Sequence, residues 1–159
     1  MGLFYFLDTN FHIFYDTIIV DRSVIFVKVT DVLISEAIIN APNDPRPALI
    51  GPQNVISPFF IPAAMNIGLT VGFNSITIGD RANIKIVDSN GKDLIVLPEI
   101  QVTKELVNPN LTPEQNSIFL NSGIQNLVIR VEKPIKVVVT TSDGETFERE
   151  YPVFAKERV

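Results

Sequence analysis

Cysteine is absent from this 159-residue chain, and so is tryptophan. Without cysteine there is no disulfide framework, no thiolate metal site and no sulfur nucleophile. That fits a reducing compartment, although a chain of this length does not need disulfides outside the cell either. A lone histidine, His12, removes every site built on two or more imidazoles, the two-histidine zinc motifs included. Lys and Arg are scattered singly from Arg22 to Arg158, and the net charge is −5. Nucleic-acid binding leaves a footprint of clustered cations, and this sequence has none. The acidic balance reads more simply as a solubility device. No apolar run approaches the length of a bilayer span. Gly2–Leu7 carries no positive charge and Asp8 interrupts the greasy run, which makes a poor signal peptide. The expectation is a soluble, unexported, cytoplasmic protein.

What the chain does have is apolar material. It is 46% hydrophobic, with a positive mean hydropathy, which argues against disorder. Its length suits one domain over residues 1–159 with a core large enough to need no staples. Two tight-turn signals organise the second half. Ser89-Asn90-Gly91-Lys92 separates Asn83–Asp88 from Asp93–Val102, and Ser142-Asp143-Gly144-Glu145 separates Ile135–Thr141 from Thr146–Phe154. Asn-Gly and Asp-Gly suit two-residue type I′ turns, whose central residues both need positive φ. Both sites are expected at hairpin tips.

Alternation supports the same reading. Ile67, Leu69, Val71 and Phe73 share one face of a run whose other face is Gly68, Thr70 and Gly72. Glycine inside a strand often marks a close approach, so something large should cover that second face, the aromatic N-terminus being the obvious candidate. Ile84 and Ile86, then Leu127, Ile129 and Val131, then Ile135, Val137 and Val139 occupy the apolar sides of further runs. These twelve residues are the expected core. Early in the chain, Thr17–Val20 and Val24–Val29 read as strands around an Asp21-Arg22-Ser23 turn or bulge. Asp31–Ile39 fits a short helix or a third strand. Residues 40–62 hold six of the eleven prolines, which predicts a long loop or extended arm instead of a sheet interior. Thr112-Pro113-Glu114-Gln115 predicts a short helix near Thr112–Leu120, with a Thr cap, Pro at the first position and Gln completing a capping box. Asn121-Ser122-Gly123 should end it. The fold class is therefore all-β and mainly antiparallel: a two-sheet sandwich with one or two short helices.

Chemistry-bearing motifs are thin. His12 sits among large apolar residues with no companion motif. Asp8, Asp16, Asp21, Asp31 and Glu36 offer carboxylates for glycoside chemistry, but that needs two of them facing across a cleft. Turn and sheet-surface acids are the plainer account. Asp80, Asp88, Asn90 and Asp93 reproduce only a fragment of a calcium loop. Ser117, Ser122 and Ser142 lie in no nucleophile elbow, and no phosphate loop is present. No cofactor, metal, nucleic acid, membrane or small-molecule substrate is indicated. Two features remain. Phe59-Phe60-Ile61, between Pro58 and Pro62, has the character of an aromatic anchor for another protein. Phe4, Tyr5 and Phe6 form an aromatic stretch that would need covering if it lay at a sheet edge. The bland account of all six is core packing.

Val24–Val32, the proline-containing passage to Ile61-Pro62, Asn66–Gly72 and Ile84–Gly91 follow one another in an order that resembles a family of small uncharacterised bacterial proteins. The likeness spans residues 17–155 in outline, with Ile61-Pro62 where that family has an aromatic-proline step. It implies an immunoglobulin-like sandwich and supplies no catalytic residues to carry over. The leading functional expectation is a non-enzymatic adaptor or assembly component working through a protein partner or self-association. The alternative is a phage- or virus-derived accessory protein or inhibitor of a host factor, for which a virion location follows. A carbohydrate-binding module is disfavoured by the missing tryptophan, and an enzyme comes last.

Overall fold

The computed structural model describes residues 27–40 and 47–156. Nine strands follow in order: β1 Lys28–Asn40, β2 Pro47–Gln53, β3 Ala63–Asn74, β4 Arg81–Val87, β5 Asp93–Val96, β6 Ile100–Gln101, β7 Ser117–Ile129, β8 Ile135–Thr141 and β9 Thr146–Tyr151. They form two sheets, β2-β1-β3-β7 and β5-β4-β8-β9, with β6 pairing β4 beside β5. All of these pairings are antiparallel. The fold is an all-β sandwich, as the alternation predicts.

The core lies where period-two apolar faces of the two sheets meet. Val32 and Ile34 of β1, Ile67, Leu69, Val71 and Phe73 of β3, and Ile124, Leu127 and Ile129 of β7 come from one sheet. Ile84 and Ile86 of β4, Ile135, Val137 and Val139 of β8, and Tyr151 of β9 come from the other. Eleven of the twelve expected core residues are buried. Val131 is the exception at 54% exposure, because β7 ends at Ile129 and the chain is already turning toward Pro134.

Both hairpin tips form, with different turn geometry from the one expected. Gly91 and Gly144 take left-handed φ of 80° and 87°, whereas Asn90 and Asp143 do not. Gly91 N–H donates to Asp88 O at 3.0 Å, and Gly144 N–H to Thr141 O at 2.9 Å. Each is a type I-like turn followed by a left-handed glycine, so only one residue needs positive φ. The aspartates supply the rest. Asp88 Oδ1 accepts from the amides of Asn90 and Lys92, and Asp143 Oδ1 from Thr141 Oγ1 and the amide of Glu145. No atom stands within 4 Å of where a Cβ on Gly91 would sit, so a substitution there is felt through the backbone alone. Gly91→Val should cost about 1–3 kcal/mol, and an unchanged urea midpoint would contradict the left-handed turn.

Two other expectations need correcting, and one open alternative is resolved. Thr112–Leu120 is not a helix: Pro113–Gln115 makes a single 3₁₀ turn and β7 starts at Ser117. The capping residue does its local work, since Thr112 N–H donates to Gln115 Oε1 at 3.0 Å. Beyond it, Ile118 and Leu120 pack on the core while Phe119 points out. That is a period of two, and the pairing with β3 keeps it from Ser117 to Ile124, before a bulge shifts the register ahead of Leu127. Asn121-Ser122-Gly123 therefore lies inside β7, where Asn121 Oδ1 accepts from the Thr70 hydroxyl at 2.7 Å. Asp31–Ile39 resolves to strand, within β1. The 40–62 passage contains β2, which pairs β1 on one side. Pro47 and Pro52 are tolerated there because an edge strand has one row of donors without a ladder to fill. The predicted strands before Val27 lie outside the described residues.

A polar tie joins the two sheets. Tyr151 of β9 donates its buried phenol to Val32 O of β1 at 2.8 Å. Arg149 Nη1 donates to the same carbonyl at 2.6 Å and reaches Asp31 Oδ1 at 3.4 Å. Its Nη2 reaches Asn54 Oδ1 at 3.2 Å, and the guanidinium stands 5.4 Å from the Tyr151 ring centre. Burial pushes the Tyr151 phenol above its ordinary value, with Arg149 pulling the other way. In the unfolded chain the phenol ionises near pH 10, while the folded one holds its proton longer. Stability is thus fully present below about pH 10 and falls as pH rises through the folded value. Tyr151→Phe should flatten that alkaline fall, measured as unfolding midpoints from pH 8 to 11.

Candidate functional site

The strongest candidate is the passage between β2 and β3. Proline keeps it out of the sheets, and the C-terminal tail holds it down. Ile56 N–H donates to Pro152 O at 2.9 Å, Phe154 N–H to Ile56 O at 3.0 Å, and Lys156 N–H to Pro58 O at 2.8 Å. This short parallel ladder buries Ile56 and Pro58. The next two residues have no such cover: Phe59 is 63% exposed and Phe60 61%. Ile61 turns back, half-buried against the core, and the Ile61–Pro62 peptide is cis before β3 begins.

A groove of about 270 Å³ opens beside the two rings, lined by Phe59, Phe60, Met65, Glu36, Gln53 and Lys156 among others. The Lys156 ammonium stands 5.0 Å from the Phe59 ring centre, within the range of a cation–π contact. Gln53 Nε2 donates to Glu36 Oε1 at 3.2 Å, across the β1–β2 pair. Gln53 Oε1 is buried and has no partner among the described residues. Gly51 is what lets Glu36 lie across β2. Its φ is +58°, and a Cβ there would stand 2.9 Å from Glu36 Cδ.

The site residues expected from sequence fare unequally. Phe59 and Phe60 are surface side chains, so core packing does not account for them; Ile61 is packing material. Phe4, Tyr5, Phe6 and His12 lie outside the described residues, as do Asp8, Asp16 and Asp21. Asp31 is held by Arg149 and Glu36 by Gln53. The calcium-like acids are engaged locally: Asp80 accepts from Thr77, Asp88 caps its hairpin, and Asp93 pairs Lys85 at 3.2 Å. Among the described residues no three His, Cys, Asp or Glu side chains gather in metal-binding geometry, and no helix is long and apolar enough to cross a membrane. Gln53, Met65 and Lys156 were not legible as site residues, and Glu36 only as a carboxylate for other chemistry, since only the fold brings the tail and β1 to the Phe pair.

No family model matches the chain, and no curated protein does. Among solved structures it is similar to one described as the X-ray structure of Northeast Structural Genomics Consortium target SoR45. The two are 13% identical with a TM-score of 0.31, over 84% of this chain and 89% of the other. Likeness at that level carries no functional argument.

Proposed function

We propose that this chain is a non-enzymatic, immunoglobulin-like β-sandwich that acts by protein contact, as an adaptor or assembly component, with Phe59 and Phe60 as its anchors. The observation that carries this is two adjacent, exposed phenylalanines on a segment pinned at both ends. Adjacent apolar rings held out to water on a fixed backbone lose little entropy on binding, and aromatic anchors dominate interface energetics. The partner is another protein or a second copy of the chain.

Strand order supports the immunoglobulin-like part. β1, β3 and β7 stand in the order of strands A, B and E of that fold, and β5, β4, β8 and β9 in the order C′, C, F and G. β2 is an addition outside the first. The non-enzymatic part is supported by the employment of Asp31, Asp80, Asp88, Asp93 and Asp143, whose carboxylates serve the turns, an ion pair and the inter-sheet tie.

Phe59→Ala with Phe60→Ala tests the reading. Both rings are largely exposed, so the double variant should unfold at the same temperature as the parent within the usual ±0.5 kcal/mol of surface changes. The parent should scatter light as a species larger than 17.7 kDa, or retain a stable partner. The double variant should lose that association. A parent that is monomeric and partnerless, or a variant that associates equally well, would count against the anchors.

A further inference from the structure

We propose that the groove beside Phe59 and Phe60 receives a basic side chain, arginine in preference to lysine, from the protein that docks there. This rests on reading the groove as a protein contact, and it names the chemistry of the partner. At about 270 Å³ the groove lies at the lower edge of the range of ligand sites and has room for one inserted side chain.

Two acceptors face the groove, the exposed Glu36 carboxylate and the half-buried Gln53 amide. Among the described residues, the Glu36 carboxylate receives only the neutral amide of Gln53, at 3.2 Å. The other end of that amide, Gln53 Oε1, is a buried acceptor with no donor among the described residues. A guanidinium carries five N–H donors in a fixed fork and no acceptor. It can donate to Glu36 in place of Gln53, freeing that amide to turn about its terminal torsion and accept a second N–H. The rim suits a cation as well. The Phe59 ring already holds one, the Lys156 ammonium at 5.0 Å, and Phe60 presents a second exposed ring beside it. The chain's net charge of −5 steers a basic partner toward it. Lys156 is the opposing charge, and that gives the proposal a sign. For a basic guest, Lys156 is a rival, and removing it should strengthen binding. For an acidic guest, Lys156 is the ligand, and removing it should weaken binding.

The test titrates the ¹⁵N-labelled full chain with a hexa-arginine peptide, with hexaglutamate as control. Hexa-arginine should move the Gln53 side-chain amide and the Phe60 backbone amide saturably, while hexaglutamate leaves both still. Glu36→Gln should weaken that binding by roughly ten- to a hundredfold, as for loss of a charged hydrogen-bond partner. Lys156→Ala should tighten it. Unaltered binding in Glu36→Gln, weaker binding in Lys156→Ala, or an equal response to hexaglutamate would overturn the proposal. If the Phe59/Phe60 double variant loses its partner while the arginine titration fails, the protein contact stands and the basic guest goes.

Discussion

Replacing Leu69 by alanine should lower the free energy of unfolding by about 2–5 kcal/mol. Leu69 is wholly enclosed at the middle of β3, flanked by Ile34 on β1 and Ser122 on β7. A strand with neighbours on both sides has little freedom to close the cavity left by the three missing heavy atoms, so the transfer loss and the cavity add. Urea unfolding should show a lower midpoint at unchanged slope. A loss under 1 kcal/mol would mean that β3 is out of register by one residue, which would turn Leu69 to the opposite face.

Gly68→Val should be nearly as damaging, for the opposite reason. Gly68 faces away from the sandwich core, yet it is buried. A Cβ there would stand 2.6 Å from Ile38 Cγ1 and run into the Ser35 hydroxyl. That hydroxyl is fixed, since Ser35 is buried and donates to Ala37 O at 3.1 Å. Overpacking of this kind costs about 1–3 kcal/mol and more where the neighbour is held. Gly123, opposite Gly68 on β7, is the internal control. Nothing stands within 4 Å of its absent Cβ, and β-branched residues suit strands, so Gly123→Val should be close to neutral. Equal losses at the two sites would show that strand conformation, and not the covering side chains, decides the cost.

The same pair shows how far the sequence carries the fold. Alternation at Ile67–Phe73, Ile84–Ile86 and Ile135–Val139 is local, and it names the buried face correctly because a strand uninterrupted by a bulge has a period of two. The glycines on the other face signal a close approach. What approaches is a matter of long-range pairing: Ser35 and Ile38 over Gly68, Thr30 and Phe119 over Gly72. The expected cover, the N-terminal aromatics, lies outside the described residues. Val131 shows the limit in another form, because its alternation continues on paper after the ladder has ended. Thr112-Pro113-Glu114-Gln115 carries a sound helix start, and it yields one 3₁₀ turn since the chain from Ser117 onward pairs with β3.

Of the candidate site, the Phe59-Phe60 step was legible and its surroundings were not. Proline on both sides marks a segment unsuited to a sheet interior, and apolar residues on such a segment must either pack or project. Which they do depends on the Ile56–Val153 bridge, formed by residues far apart in the chain. That bridge buries Ile56 and leaves the two rings outside. The orphaned Gln53 oxygen and the Lys156 ammonium follow from the same meeting of segments, and no local pattern announces them.

The central claim is that contact is made at the Phe59–Phe60 step, and site-specific photo-cross-linking measures it most directly. A benzophenone amino acid placed at Phe60, 61% exposed, is compared with one at Val96, 65% exposed on the edge strand of the other sheet. The account predicts one discrete cross-linked protein species from position 60, either the chain itself or a single partner, and none from position 96. No cross-link from position 60, or the same products from both, would contradict it.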